Sequence, residues 1–175
     1  MYTISKYVEL DAAHRVPDHK SKCFKLHGHR YRVEAVCEGV TLHNVGEQKG
    51  MLLDFGFLKD VLMEYVHDVC DHKTIWYCDD VLLNPIFADA RAVDIVNQVR
   101  MAACMDGCAL SDTLGTVVVN FVPTAENLAQ WWFEICAPRI EERSFGMAKL
   151  KTLIVYETPT SVATYSINPG AQSQS

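Results

Sequence analysis

Between Tyr2 and His14 the chain alternates. Tyr2, Ile4, Val8, Leu10 and Ala12 share one face, broken only by Lys6, and His14 falls on that face too. A period of two predicts a strand. The pattern returns from Gly28 onward, where Tyr31, Val33, Ala35 and Cys37 alternate with Arg30, Arg32, Glu34 and Glu38. His27 and His29 extend the apolar face of this second strand. The intervening loop, RVPDHKSKCFKL, lets the two strands pair antiparallel.

The period then lengthens. In KGMLLDFGFLKDVLMEYVHDVCDHK, Phe55, Leu58, Leu62, Tyr65, Val66 and Val69 recur at helical spacing behind Asp54, a good N-cap. Asp71-His72 lies at the end of that helix. Asn84 as cap, Pro85 at the first helical position and Gly107 as stop predict a second helix over 84–107. TVVVNFV reads as a short strand. PTAENLAQWWFEICAPRI reads as a helix capped by Thr124 that ends near Pro138, or just beyond if a kink accommodates the proline. AKLKTLIVYET is the last strand, with Leu153, Val155 and Glu157 on one face, and SINPGAQSQS is a frayed tail. The order ββααβαβ describes a single α+β unit.

Composition narrows the class. The 175 residues are 49% hydrophobic and 22% charged, with a mean hydropathy of +0.01, as expected of one soluble globular domain. No apolar run approaches a membrane span and no export signal is visible, so a cytoplasmic location is expected. Seven cysteines, an odd number without framework spacing, read as reduced thiols; Cys37 and Cys136 have the surroundings of core residues. A net charge of −6 excludes a general nucleic-acid binder. Yet Arg15, Lys20, Lys22, Lys25, Arg30 and Arg32 face Asp18 alone within residues 14–32. Such a patch suits a small polyanion such as a phosphorylated metabolite, or is simply the solvent face of a strand.

The candidate chemistry gathers in the same stretch. Residues two apart on a strand stand roughly 6.5–7 Å apart, so His27 and His29 reach one ion. If the first two strands pair, His14 joins them. Three imidazoles with an open fourth position describe a catalytic zinc site. Cys23 has two readings beside it: a fourth ligand closing a structural site, or a thiolate base. Asp71-His72 has the form of a carboxylate-oriented acid/base. Glu157 ends an apolar face, where its charge needs a hydrogen-bonding partner or exposure at the strand end. His19, His43 and His67 read as ordinary structural histidines.

Taken together, LDAAHR, CFKLHGHRYRV, GMLLDFGFLK, CDH, PTAENLA and VYET resemble the 6-pyruvoyl-tetrahydropterin synthase family over nearly the whole chain. The resemblance implies the tunnelling (T-) fold, an antiparallel four-stranded sheet with helices on one face. It further implies assembly into trimers and usually hexamers with active sites at subunit boundaries. It assigns His14, His27 and His29 to zinc, Cys23 to proton abstraction, Asp71 and His72 to a relay pair, and Glu157 to the pterin's amino-pyrimidine edge. Thr124 and Glu126 would belong to the pterin pocket. Against compact members, 73–122 is an insertion within a domain of residues 1–166, followed by a tail over 167–175. The substrate implied is a small-molecule pterin triphosphate, with no nucleic acid or membrane involved.

The family has branches. The pyruvoyl-forming branch has five residues between its cysteine and H-G-H, whereas the 6-carboxy-5,6,7,8-tetrahydropterin synthases of the 7-deazaguanine (queuosine) pathway have three. Here the three are Phe24, Lys25 and Leu26. A third branch, in folate synthesis, carries glutamate where this chain has Cys23. The resemblance therefore implies a carboxytetrahydropterin synthase, with the pyruvoyl enzyme and a structural zinc protein as the alternatives.

Overall fold

The computed structural model describes residues 1–87, 99, 109–111 and 115–167. β1 (Tyr2–His14) and β2 (His27–Gly39) form a long antiparallel pair, in register from Tyr2 opposite Gly39 to His14 opposite His27. Antiparallel pairing continues from β2 to β6 (Lys149–Thr158) and from β6 to β7 (Ser161–Tyr165). On the other side of β1, β3 (Lys73–Tyr77) pairs parallel at Ala12 and Ala13 only; β5 (Thr116–Val119) runs parallel to β3, and β4 (Ala109–Ser111) closes that flank. The sheet order is β4-β5-β3-β1-β2-β6-β7.

The antiparallel half has the four strands that the resemblance implies, but its fourth strand is Ser161–Tyr165. The sequence pattern assigns residues 161–165 to no element, because five residues are too few to show a period; in the fold Val162 is exposed and Ala163 buried. TVVV instead joins the parallel flank. β3 is a further strand that periodicity misses. Five residues ending in Tyr77, before Asp79 and Asp80, are too short to show a period.

Two helices cover one face. α1 (Phe55–Leu62) starts at Asp54, whose carboxylate accepts from Gly56 N at 2.5 Å, as the sequence predicts. It continues through a π-helical turn over Met63–His67 into a last turn, Asp68–Cys70. α2 is the short helix Asn84–Phe87; the rest of the helix expected to Gly107, apart from Val99, lies outside the described residues, as do Cys104, Cys108 and most of the tail. Asn84 does not cap α2. Its side chain accepts from Trp76 Nε1 and donates to the Cys78 carbonyl.

α3 (Ala125–Arg143) is capped by Thr124, which accepts from Asn127 N, and runs through Pro138 for five further residues. The proline removes one backbone bond, but Cys136 and Ile140, buried on either side of it, keep both halves seated on the sheet. The core lies between these helices and the sheet face carrying Leu10, Ala12, Tyr31, Val33, Ala35, Leu153 and Val155; Leu58, Leu62, Trp131 and Trp132 fill it. Cys37 and Cys136 are fully buried there, and desolvation pushes both thiols up to about 12. No described helix is long and apolar enough to cross a membrane.

Candidate metal and catalytic centre

The β1/β2 register builds the centre. His14 stands directly opposite His27, and Ala12 opposite His29, so all three imidazoles project from the core face at the end of the hairpin. Their ring centroids are 4.7, 4.8 and 5.3 Å apart, and their ligand atoms all lie within 4.8 Å of one another. Gly28, between the two β2 histidines, permits the close strand approach: a Cβ there would meet Ala12 O at 3.1 Å.

Backbone carbonyls set the tautomers. His14 Nδ1 is 2.6 Å from Pro123 O, and His27 Nδ1 is 2.7 Å from Lys25 O. A carbonyl only accepts, so each Nδ1 donates and each Nε2 keeps its lone pair. His14 Nε2 and His29 Nε2 are buried and unpartnered. Acceptor nitrogens converging in a protected place are costly by themselves and are what a zinc ion satisfies. The residues present therefore fit that metal.

Electrostatics favour the neutral, ligating form. Burial holds the His14 pKa below its ordinary value, outweighing the Pro123 bond and the Glu157 charge, which act to raise it. Burial likewise lowers His29. Glu157 Oε1 stands 3.5 Å from His14 Nε2 and 3.9 Å from His29 Nε2. At those distances from neutral rings it is a neighbouring carboxylate rather than a hydrogen-bonded partner. Tyr31 floors the cluster, edge-on to His14 at 5.9 Å and to His29 at 5.6 Å, with its hydroxyl buried.

Cys23 sits in a single 3₁₀ turn, Lys22–Phe24, half-buried and a free thiol. It is not one of the mutually close ligand atoms. Asp71 and His72 follow the last turn of α1 at the edge of β1. Asp71 Oδ1 accepts from Asp11 N at 2.9 Å and Asp71 Oδ2 contacts His72 Nδ1 at 2.7 Å. Burial acts to raise the Asp71 pKa, but the Asp11 N–H and the His72 ring outweigh it and hold the carboxyl below its ordinary value. His72 is in the left-handed region (φ 56°), its N–H donating to Asp11 O at 2.7 Å. That strained backbone turns the ring outward, 81% exposed. Asp11, Gly28, Arg30, His72 and Thr74 border one open hollow of about 430 Å³.

Within one chain the fold thus gathers His14, His27, His29 and Glu157, and brings the Pro123-Thr124 step against His14. It does not bring His72 into that cluster. Glu126 lies in the first turn of α3. The cationic patch is smaller than its residue count. Arg15 is buried and paired with Asp80; Arg30 pairs with Asp11 at 2.9 Å and Arg32 with Glu34 at 2.9 Å. Lys20, Lys22 and Lys25 remain exposed on the Cys23 loop. The Pro123 carbonyl and Asp80 are contributors that sequence reading missed, because each acts across 109 or 65 residues of chain.

Comparison with known proteins places this geometry. A family model described as 6-pyruvoyl tetrahydropterin synthase matches residues 3–168. A 6-carboxy-5,6,7,8-tetrahydropterin synthase of Synechocystis is 30% identical over 165 residues, 94% of this chain and 93% of that one. The namesake enzyme of Rickettsia felis is 38% identical over 80 residues, 46% of this chain, and this chain spans about half of that relative's length, 55%. Among solved structures, an uncharacterized protein from Wolinella succinogenes superposes with a TM-score of 0.72 at 25% identity, covering 95% of this chain and 98% of the other. With a family match over nearly its full length, this chain belongs to the 6-pyruvoyl tetrahydropterin synthase family and has the T-fold.

Proposed function

We propose that the protein is a zinc-dependent 6-carboxy-5,6,7,8-tetrahydropterin synthase. In that reaction 7,8-dihydroneopterin triphosphate and water give 6-carboxytetrahydropterin, acetaldehyde and triphosphate. The observation that carries the reading is the convergence of His14, His27 and His29, two of them with buried, unpartnered Nε2 atoms, beside a free Cys23 that stands outside the ligand group. Three imidazoles with no fourth protein ligand grouped with them among the described residues leave a position for substrate, the mark of a catalytic rather than a structural zinc site. The three-residue spacing from Cys23 to His27 and the names of the relatives support the carboxy branch.

His14, His27 and His29 would hold the zinc, which supplies Lewis acidity toward the oxygens of the substrate side chain and so acidifies the neighbouring C–H bonds. Cys23 takes a proton from the side-chain carbon. His72, oriented by Asp71 through Nδ1, moves protons at the side-chain oxygens through the exposed opposite edge of its ring. Glu157 accepts hydrogen bonds from the amino-pyrimidine edge of the pterin. Thr124, already accepting from Asn127 N, keeps its hydroxyl hydrogen for the ring, and Glu126 borders the same pocket. Lys20, Lys22 and Lys25 suit the triphosphate. The exposure of His72, which stands outside its own chain's imidazole group, suits a homo-oligomer, trimer or hexamer, in which a neighbouring copy completes the site.

Triphosphate release from dihydroneopterin triphosphate tests the reading. Zinc-loaded protein is expected to release it catalytically and chelated protein to stop. Release that continues at full rate after the zinc has been removed would refute the zinc-dependent mechanism.

A further inference from the structure

Arg15 follows the ligand His14, yet it does not join the exposed cationic patch. It is 3% exposed, and its partner Asp80 1%. Its Nε donates to Phe24 O at 2.9 Å, its Nη1 donates to Asp80 Oδ1, and its guanidinium carbon lies 4.6 Å from the centre of the Phe24 ring. The next residue repeats the hold, since Val16 N donates to Cys23 O at 2.9 Å. Two consecutive residues after His14 therefore grip the two consecutive carbonyls of the turn that carries Cys23. Asp80 is fixed in turn, its Oδ1 also accepting from Leu82 N and Leu83 N and its carbonyl from Asn84 N. It lies just beyond β3, the strand that begins immediately after His72.

From this the geometry points to Arg15 and Asp80 as positioning residues: a buried clamp that locks the Cys23 turn in register with the imidazole cluster. An ion pair this deeply buried contributes little net stability against an apolar pair of the same volume, because desolvation of both charges offsets their attraction. What it supplies is direction. A planar guanidinium fixes several donors at once, so the carboxylate, the turn carbonyl and the aromatic ring are all referenced to the residue beside a metal ligand. Lysine has no such fork. The inference rests on the reading of Cys23 as the base, and its test keeps the two separable.

The rate of Cys23 alkylation by iodoacetamide, read by peptide mass in zinc-loaded protein without substrate, reports the turn directly. Cys37, Cys70, Cys78 and Cys136 are buried, and peptide mapping assigns the signal to Cys23. Asp80→Asn is expected to speed alkylation of Cys23 about fivefold or more as the turn loosens. It should lower kcat about tenfold to a hundredfold, through misplacement of the base, with KM within about twofold and zinc per chain unchanged. Arg15→Lys should behave in the same way despite keeping its charge. Phe24→Leu removes only a half-exposed ring and leaves the fold intact, so a smaller rise of about twofold in alkylation is expected even if the buried variants fail to fold. Unchanged alkylation in Phe24→Leu and in every folded buried variant would overturn the clamp, whatever happens to melting temperature. Because alkylation needs no substrate, a wild-type protein without pterin turnover would refute the proposed activity and leave the clamp still decided by this readout.

Discussion

The three imidazoles are equivalent as proposed zinc ligands but not as parts of the fold, and alanine at His14 and at His27 separates the two roles. His14 is 1% exposed and its Nδ1 bonds Pro123 O, whereas His27 is only partly buried and its Nδ1 bonds Lys25 O at the surface. In zinc-stripped protein, His14→Ala leaves the Pro123 carbonyl without its partner, at about 1–3 kcal/mol. It also leaves a cavity the size of an imidazole, about 2 kcal/mol by analogy with large-to-small core changes. Relief of the unpartnered Nε2 returns about 1–2 kcal/mol. The net loss is about 2.5 kcal/mol, which for a domain of this size corresponds to a fall of about 5–10 °C in Tm. His27→Ala should cost under about 1 kcal/mol, as surface changes do. Urea unfolding of both apoproteins at one fixed chain concentration measures the difference, since assembly also shifts apparent stability. Metal analysis of the same preparations should find zinc lost from both. Equal stability of the two apoproteins would refute the assignment of His14 to a structural as well as a ligating role.

Cys23→Ala should keep its zinc while turnover falls about 10²–10⁴-fold, the usual worth of a positioned acid or base; zinc lost in proportion to activity would instead make Cys23 a ligand. Glu157→Gln should weaken pterin binding strongly and leave the thermal melt nearly unchanged, and a binding titration beside the melt decides it. His14 and His29 have pKa values lowered by burial, so the unfolded chain takes up their protons first. Apoprotein stability from these groups is present above about pH 6.5 and is lost as the pH falls through their depressed values. Urea midpoints measured from pH 7.5 down to pH 5 should therefore decline. A flat profile over that range, or a rise toward low pH, would contradict the burial of neutral rings.

Sequence carried the hairpin best. The alternation from Tyr2 to His14 and from His27 to Cys37 is long, has one face buried from Val8 to His14 and from Tyr31 to Cys37, and so specifies both strands and the side on which the histidines stand. Asp54 and Thr124 also announced their helices, because a cap is a local interaction. The failures are of two physical kinds. β3 and β7 are five residues each and owe their extended form to a neighbouring strand, which no local period records. The continuation of α3 through Pro138 likewise depends on the burial of Cys136 and Ile140. Within the site, H-x-H was legible because both imidazoles share one strand, and the grip of Pro123 on His14 was not, since it crosses 109 residues. Arg15 misled in the opposite direction: counted by charge it belonged to a surface patch, and only the approach of Asp80 makes its burial tolerable. The choice between base and ligand for Cys23 turns on whether its sulfur joins the imidazole group, which spacing alone left open.

Mass spectrometry of the reaction of zinc-loaded wild-type protein with 7,8-dihydroneopterin triphosphate tests the central claim most directly. The account predicts 6-carboxy-5,6,7,8-tetrahydropterin with acetaldehyde and triphosphate in equal amounts. A pyruvoyl-tetrahydropterin product without acetaldehyde, or unreacted substrate in the presence of stoichiometric zinc, would contradict it.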